Sequence, residues 1–276
     1  MENSFERDIE IARRIQASFL PEELPRLPGW EIAASFQPAR QVAGDFYDAF
    51  PLIQNRRLGL VIGDVCDKGV GAALFMALFR TLIRAFAQQH QTLRWMSGLS
   101  EEGPGQPASS GRPALPSIGT SALKNAIELT NDYIANVHGS ANMFATLFFG
   151  VLDPTNGTLL FVNGGHEYPL LVNSAGVKER LATTGPLVGL IPSAHFDIRS
   201  VTIEPGETLF AFTDGVTEAM NSEMELFGLE RLNSLMMQPV SSAVDLLDRV
   251  QASVKGHLGE MDLSDDITML ALRRQD

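Results

Sequence analysis

The chain has a single cysteine, Cys66, so it cannot form an intramolecular disulfide, and it suits a reducing compartment. Positive charge is also scarce: 21 Lys and Arg stand against 33 Asp and Glu, a formal net charge of −12. That balance argues against nucleic acid as a partner, because phosphate backbones bind basic surfaces. It leaves room for a phosphorylated substrate whose charge is met by metal ions. No apolar run is read as reaching transmembrane length, the N terminus carries no signal-peptide pattern, and no internal repeat is evident. The expectation is a cytoplasmic protein with no membrane span. With 276 residues, 45 % of them hydrophobic, the chain can bury a sizeable core as one large domain, or one domain plus an appendage.

Against these absences stand four short acidic motifs, far apart in the chain. They are Gly44-Asp45-Phe46-Tyr47-Asp48, Gly63-Asp64-Val65-Cys66-Asp67-Lys68-Gly69, Thr213-Asp214-Gly215-Val216-Thr217-Glu218 and Ser264-Asp265-Asp266-Ile267-Thr268. Most of their carboxylates lie just before or just after a run of apolar β-formers. Several Asp at strand ends suit one oxygen-rich pocket, and hard divalent cations such as Mg²⁺ and Mn²⁺ prefer carboxylate, carbonyl and water oxygens. Each motif alone also has a plain reading as a turn or a loop cap.

The pattern between the motifs outlines the fold. Residues 5–19 read as an amphipathic helix, with Phe5, Ile9, Ala12, Ile15 and Phe19 on one stripe and Pro21 at its end. Such a stripe suits packing on the main domain and equally a coiled-coil seam with a second copy. Strands are expected at 30–36, 58–62, 145–152, 158–162, 170–172, 208–212 and 267–272, with another beginning at Phe46 and Tyr47. Asp153-Pro154-Thr155-Asn156-Gly157 signals a hairpin turn. Residues 72–88 form a helix apolar almost all round, with Arg80 and Arg84 on one side, and 121–137 form its antiparallel neighbour. Between them lies a Gly-, Ser- and Pro-rich segment at 97–119, read as a flexible loop. Two further helices are expected near 229–237 and 243–257. Grouped strands with inserted helices point to an α+β layered domain with antiparallel sheets.

Taken in order, the segments resemble the SpoIIE/RsbU-type branch of the metal-dependent protein phosphatases (PPM, protein phosphatase 2C-like). The resemblance runs from about Ile11 to Arg273 and includes ARRIQASFLP at 12–21, PARQVAGDFYD at 38–48 and GDVCDKGVGAALFMA at 63–77. It continues through MFATLFFGVLD at 143–153, NGGHEYP at 163–169 and GPLVGL at 185–190. EPGETL at 204–209, TDGVTEAMN at 213–221, LFGLERL at 226–232 and DDITML at 265–270 complete it.

This resemblance implies an α/β/β/α sandwich of two mainly antiparallel sheets flanked by helices, spanning 28–276, with residues 1–27 as a regulatory or dimerising appendage. It implies metal ligation by Asp45, Asp64, Asp214 and Asp265 and by the backbone carbonyl of Val65, with Asp64 and Asp214 central to catalysis. Two ions, Mn²⁺ or Mg²⁺, would activate a water for hydrolysis of phosphoserine or phosphothreonine. The implied substrate is an anti-anti-sigma (STAS) protein in a bacterial partner-switching pathway. An upstream sensor or activator protein and a homodimer through the N-terminal helix are further expectations. The competing readings are a catalytically silent binding module of the same fold and a metallohydrolase of small phosphoesters.

The sequence departs from the family pattern in places. Ala43 replaces a glycine, which a negative φ would tolerate, and Asp67 adds charge beside Asp64. Among other polar residues, His166 is read as structural rather than as a general acid. Cys66 is read as a small buried residue, Lys68 as a surface lysine, and Asp48 as a solvated or supporting carboxylate rather than a ligand.

Overall fold

A computed structural model describes residues 2–53, 55–98 and 118–276. An N-terminal helix, α1 (Glu2–Phe19), precedes the first strands, β1 (Trp30–Gln37), β2 (Phe46–Leu52) and β3 (Arg57–Val65). Helices α2 (Val70–Gly98) and α3 (Ile118–Val137) follow, then β4 (Ala145–Asp153), β5 (Thr158–Gly164), β6 (Leu170–Asn173), β7 (Gly176–Arg180), β8 (Arg199–Thr202) and β9 (Thr208–Phe212). Helices α4 (Gly228–Met236) and α5 (Ala243–Leu258) lead to the last strand, β10 (Ile267–Arg274).

The strands make two five-stranded antiparallel sheets, β1-β10-β9-β6-β7 and β2-β3-β4-β5-β8. Period-two alternation splits each strand between two cores. On β3, Leu58, Leu60 and Ile62 face the other sheet, while Val61 and Val65 face the helices. On β10, Leu270 and Leu272 face the other sheet, while Met269 and Ala271 face α5. Helices α2 and α3 cover the β2–β5 sheet and α4 and α5 cover the other, giving the expected α/β/β/α order. The turn 153–157 joins β4 and β5 as its sequence predicts. Gly157 sits there at φ 82°, where a Cβ would run into the Ile203 carbonyl and the Arg274 side chain.

Several expectations need correcting. Helix α2 runs ten residues past its expected end and α3 begins three residues early, so 97–98 and 118–119 are helical; the rest of the expected loop, 99–117, lies outside the described residues. The short edge strands β7 and β8 have no sequence expectation behind them: their exposed, polar residues carry no buried-strand signal. Residues 70–89 of α2, with mean hydropathy 1.6, are long and apolar enough to cross a bilayer, contrary to the reading above. Here they pack on β2, β3 and α3, and their two arginines pair with a buried acid on β2.

On α1 the expected stripe holds at Ile9, Ala12 and Phe19 but not at Ile15. Ile15 is 55 % exposed, whereas Gln16, one position on, is only 7 % exposed. The amide of Gln16 makes two bonds to one backbone residue: Nε2 donates to the Ala43 carbonyl (2.6 Å) and Oε1 accepts from the Ala43 N–H (2.9 Å). A buried amide with both groups satisfied is a strong anchor, and it takes the inward position that Ile15 was expected to fill. The side chain of Phe5 lies outside the described set.

Candidate metal centre

The acidic motifs meet where the two sheets come together. Asp45 immediately precedes β2 and Asp64 is the penultimate residue of β3, so both belong to one sheet. Asp214 opens a 3-10 turn (Asp214–Val216) directly after β9, and Asp265 lies two residues before β10, both on the other sheet.

The segment leading into Asp45 is packed against the end of β3. A Cβ on Gly44 would lie 2.8 Å from the Val65 carbonyl oxygen and 3.3 Å from Asp64 Oδ1, so only glycine lets the chain pass this close. Ala43 is buried and is not among the residues of positive φ, so the departure from glycine there is accommodated. Asp45 is 1 % exposed, and its Oδ2 accepts a 2.7 Å hydrogen bond from the Thr213 hydroxyl of the other sheet. Burial first, and the neighbouring Asp64 charge second, push the Asp45 carboxyl well above the ordinary carboxylate range.

Asp64 is pushed up to about 7, by burial and then by the charges of Asp214 and Asp265; a hydrogen bond with Asp45 works against the shift. Asp214 rises to about 6, again by burial first, then through Glu218, Asp265 and Glu167. The Asp214 carbonyl accepts from the Glu218 N–H at 2.7 Å, closing its turn. Gly215 is required beside it, because a Cβ would collide with the Asp266 carbonyl oxygen. Asp265 is held by Lys68, whose Nζ lies 2.7 Å from Oδ2 and donates to the Ser264 carbonyl at 2.8 Å. Lys68 is a surface lysine, as read, and its pairing ties the β3–α2 loop to the segment before β10.

These carboxylates therefore share one electrostatic field with a single lysine set against it. Among the described residues no three His, Cys, Asp or Glu side chains form a tightly closed metal-binding cluster. Like charges in a poorly solvated site repel, and here they turn aside to Thr213 and Lys68. The fit to a divalent cation rests on the donor chemistry: all the acids are hard oxygen donors, and burial together with the neighbouring acids raises the carboxyls of Asp45, Asp64 and Asp214. The Val65 carbonyl, at the end of β3 against Gly44, adds a neutral oxygen at the same place.

The other weighed residues fall into place. Asp48 is not solvated; it is 1 % exposed, with Arg80 at 3.0 Å and Arg84 at 3.1 Å, both from α2. His166 is buried, and burial drives its pKa down to about 3, so it is neutral. Its Nδ1 lies 2.9 Å from the Thr146 hydroxyl, while Nε2 faces the Phe212 carbonyl without a well-formed bond. Cys66 is half-buried, its Sγ accepting from the Phe144 N–H at 3.3 Å, and burial pushes the thiol up, away from the reactive thiolate. Asp67 takes the left-handed conformation (φ 72°) and accepts from the next backbone N–H, a loop-stabilising role.

Sequence reasoning gave no role in this neighbourhood to Gln16, Thr213, Glu167 or Glu218. Thr213 and Glu218 stood within the Asp214 motif and Glu167 within NGGHEYP, while Gln16 was a polar residue on the helix face shared with Ile9 and Ala12.

Two antiparallel sheets stacked between helical layers, with strand-end acids of both sheets gathered together, define a phosphatase domain of the PP2C type. Residues 54–275 match the family model of stage II sporulation protein E (SpoIIE), and the chain belongs to that family, whose phosphatases are in general metal-dependent. It is 46 % identical over 267 residues to the protein IcfG of Synechocystis sp., covering 97 % of this chain and 41 % of IcfG. It is 25 % identical over 278 residues to the phosphoserine phosphatase RsbU of Bacillus subtilis, covering all of this chain and 72 % of RsbU. The PP2C domain of SiaA from Pseudomonas aeruginosa has a similar fold, with a TM-score of 0.71 at 19 % identity over 99 % of this chain and 98 % of that one. The chain thus spans about two fifths of the length of IcfG and nearly three quarters of RsbU.

Proposed function

We propose that this chain is a Mg²⁺- or Mn²⁺-dependent protein phosphatase acting on phosphoserine or phosphothreonine. The observation that carries this reading is the shared field of Asp45, which is buried, and Asp64, Asp214 and Asp265, which are partly buried, acids from two sheets with too little positive charge among them. In this reading their carboxylates and the Val65 carbonyl would hold two divalent cations. Bound cations supply positive charge for the phosphoryl oxygens and a nucleophilic water at neutral pH.

The protein's own part is to hold its donors in place. Thr213 fixes one oxygen of Asp45. Gly44 and Gly215 let the backbone come close enough for the two sheets' acids to share one field. Lys68 is a built-in partial counter-charge on Asp265. His166, neutral and enclosed, does not act as an acid here.

The proposed substrate is a phosphorylated protein of the anti-anti-sigma (STAS) type in a bacterial, cytoplasmic partner-switching pathway, the setting that the sequence resemblance implies. We assign α1 a regulatory or dimerising role toward an activator protein or a second copy. Its Gln16 is anchored two residues before Asp45, while Ile11 and Ile15 stay exposed. Removing residues 1–20 should change activity or oligomeric state; if it changes neither, that role is lost.

The reading is tested by hydrolysis of p-nitrophenyl phosphate with and without Mn²⁺, for wild type, Asp64→Asn and Asp214→Asn. Mn²⁺-dependent turnover lost in both variants supports it. A wild type that neither turns over substrate nor binds Mn²⁺ leaves only a silent binding module.

A further inference from the structure

Asp266 belongs to the same acidic dipeptide as Asp265, yet its side chain points elsewhere. Its Oδ1 accepts from the Ala39 N–H at 2.7 Å and its Oδ2 from the Gly44 N–H at 2.9 Å. A single buried carboxylate thus closes both ends of the loop 39–44, which delivers Asp45 to β2. The third amide of that loop with a side-chain partner, Ala43, is taken by Gln16. The backbone of Asp266 is committed as well: its carbonyl occupies the space that a side chain at 215 would need, one residue after Asp214. Its N–H donates to Asp265 Oδ1 at 2.9 Å.

We propose that Asp266 is a positioning residue, the staple that sets Asp45, Asp214 and Asp265 relative to one another across the junction of the two sheets. The inference rests on the metallophosphatase reading for what the staple serves, and on hydrogen bonds alone for its existence. Its chemistry requires a carboxylate. The two amides are five residues apart and each meets a separate oxygen, so both oxygens must accept. Asparagine offers one acceptor and turns an N–H donor toward the other amide, leaving a buried N–H without a partner. The hydrogen bonds of the side chain go to loop backbone, and its charge also acts on Asp45 and Asp64, so it shapes the site without being a ligand of it. Partners of this kind orient metal ligands and, when removed, typically weaken metal affinity by about 10- to 100-fold.

The test compares Asp266→Asn with Glu207→Gln. Glu207 is another buried acid, paired with Lys178 (2.7 Å) and the Glu204 N–H (3.0 Å) and not among the groups that perturb the candidate centre. Mn²⁺ affinity is read from the loss of the free-ion electron paramagnetic resonance signal, and folding from far-ultraviolet circular dichroism. Asp266→Asn should bind Mn²⁺ about tenfold or more weakly while Glu207→Gln stays within about twofold of wild type. Affinity of Asp266→Asn within about twofold of wild type would overturn the proposal. Amide exchange in metal-free wild-type protein gives a reading independent of any variant's folding. The Ala39 and Gly44 amides should exchange far more slowly than the exposed Arg40 and Gln41 amides between them, and equal rates across the loop sink the staple. If wild type binds no Mn²⁺, the metallophosphatase reading falls, while the exchange pattern still decides the staple.

Discussion

Asp45 and Asp48 lie three residues apart in one motif and are equally buried, each 1 % exposed, yet their surroundings are opposite. Asp48 meets two arginines of α2, one of which also lies 5.1 Å above the Phe50 ring. Asp45 meets a hydroxyl and other acids. The same residue type at the same depth is therefore a finished ion-pair cluster in one place and an unneutralised donor in the other. Burial raises both carboxyls; only at Asp48 do adjacent cations pull back. An acid the fold has already neutralised serves the fold, and one it has left unneutralised is available to something that binds.

Exchanging each for asparagine separates the two most sharply. Asp45→Asn should keep its bond from Thr213 and relieve repulsion, so metal-free stability in urea holds or rises. Its Mn²⁺-dependent turnover should fall about a thousandfold, ~4 kcal/mol of transition-state stabilisation. Asp48→Asn should do the reverse, costing ~3 kcal/mol of stability by stranding Arg80 and Arg84, visible as an earlier urea midpoint. If both variants lose stability alike, the contrast between the two sites is wrong.

A pH series tests the same contrast without mutation. Asp64 and Asp214 rise from 3.8 to about 7 and about 6, so the folded protein holds more protons than the unfolded chain between those values. Metal-free stability should then fall as pH climbs from about 4 to about 7, seen as a lower melting temperature at pH 8 than at pH 5. Mn²⁺ should flatten or reverse that slope, since cation and proton compete for the same oxygens. A metal-free melting temperature indifferent to pH would mean that the acids do not share a field. The smallest effect belongs to Lys68→Ala. Removing the internal cation from Asp265 should change stability by less than ~1 kcal/mol and tighten Mn²⁺ binding about two- to threefold, measured by titration.

The strand-end acids were legible because each sits beside an apolar β run, and the layered fold because those runs are grouped. What joins them was not. Asp265 and Asp266 are alike as letters, and only the folded chain shows that one meets Lys68 while the other grips the loop before Asp45. Which strands become neighbours is settled by sheet order, and β2 and β3 belong to one sheet while β9 and β10 belong to the other. One position of the inward face of α1 was misread because hydrophobicity alone favoured Ile15, whereas two amide hydrogen bonds placed Gln16 inside. Asp48 was misjudged for a similar reason, its arginines lying on a helix more than thirty residues away.

One pairing in the sheets bears on how the molecule is born. Strand β1 finds its partner in β10, with Trp30 opposite Arg274 and Gln37 opposite Ile267. During synthesis the first strand of that sheet cannot be zipped in until β10 has been made, and such distant closures are slow. The acid before β10 can join those of β2 and β3 only then. A nascent chain that has not reached β10 therefore has no assembled centre.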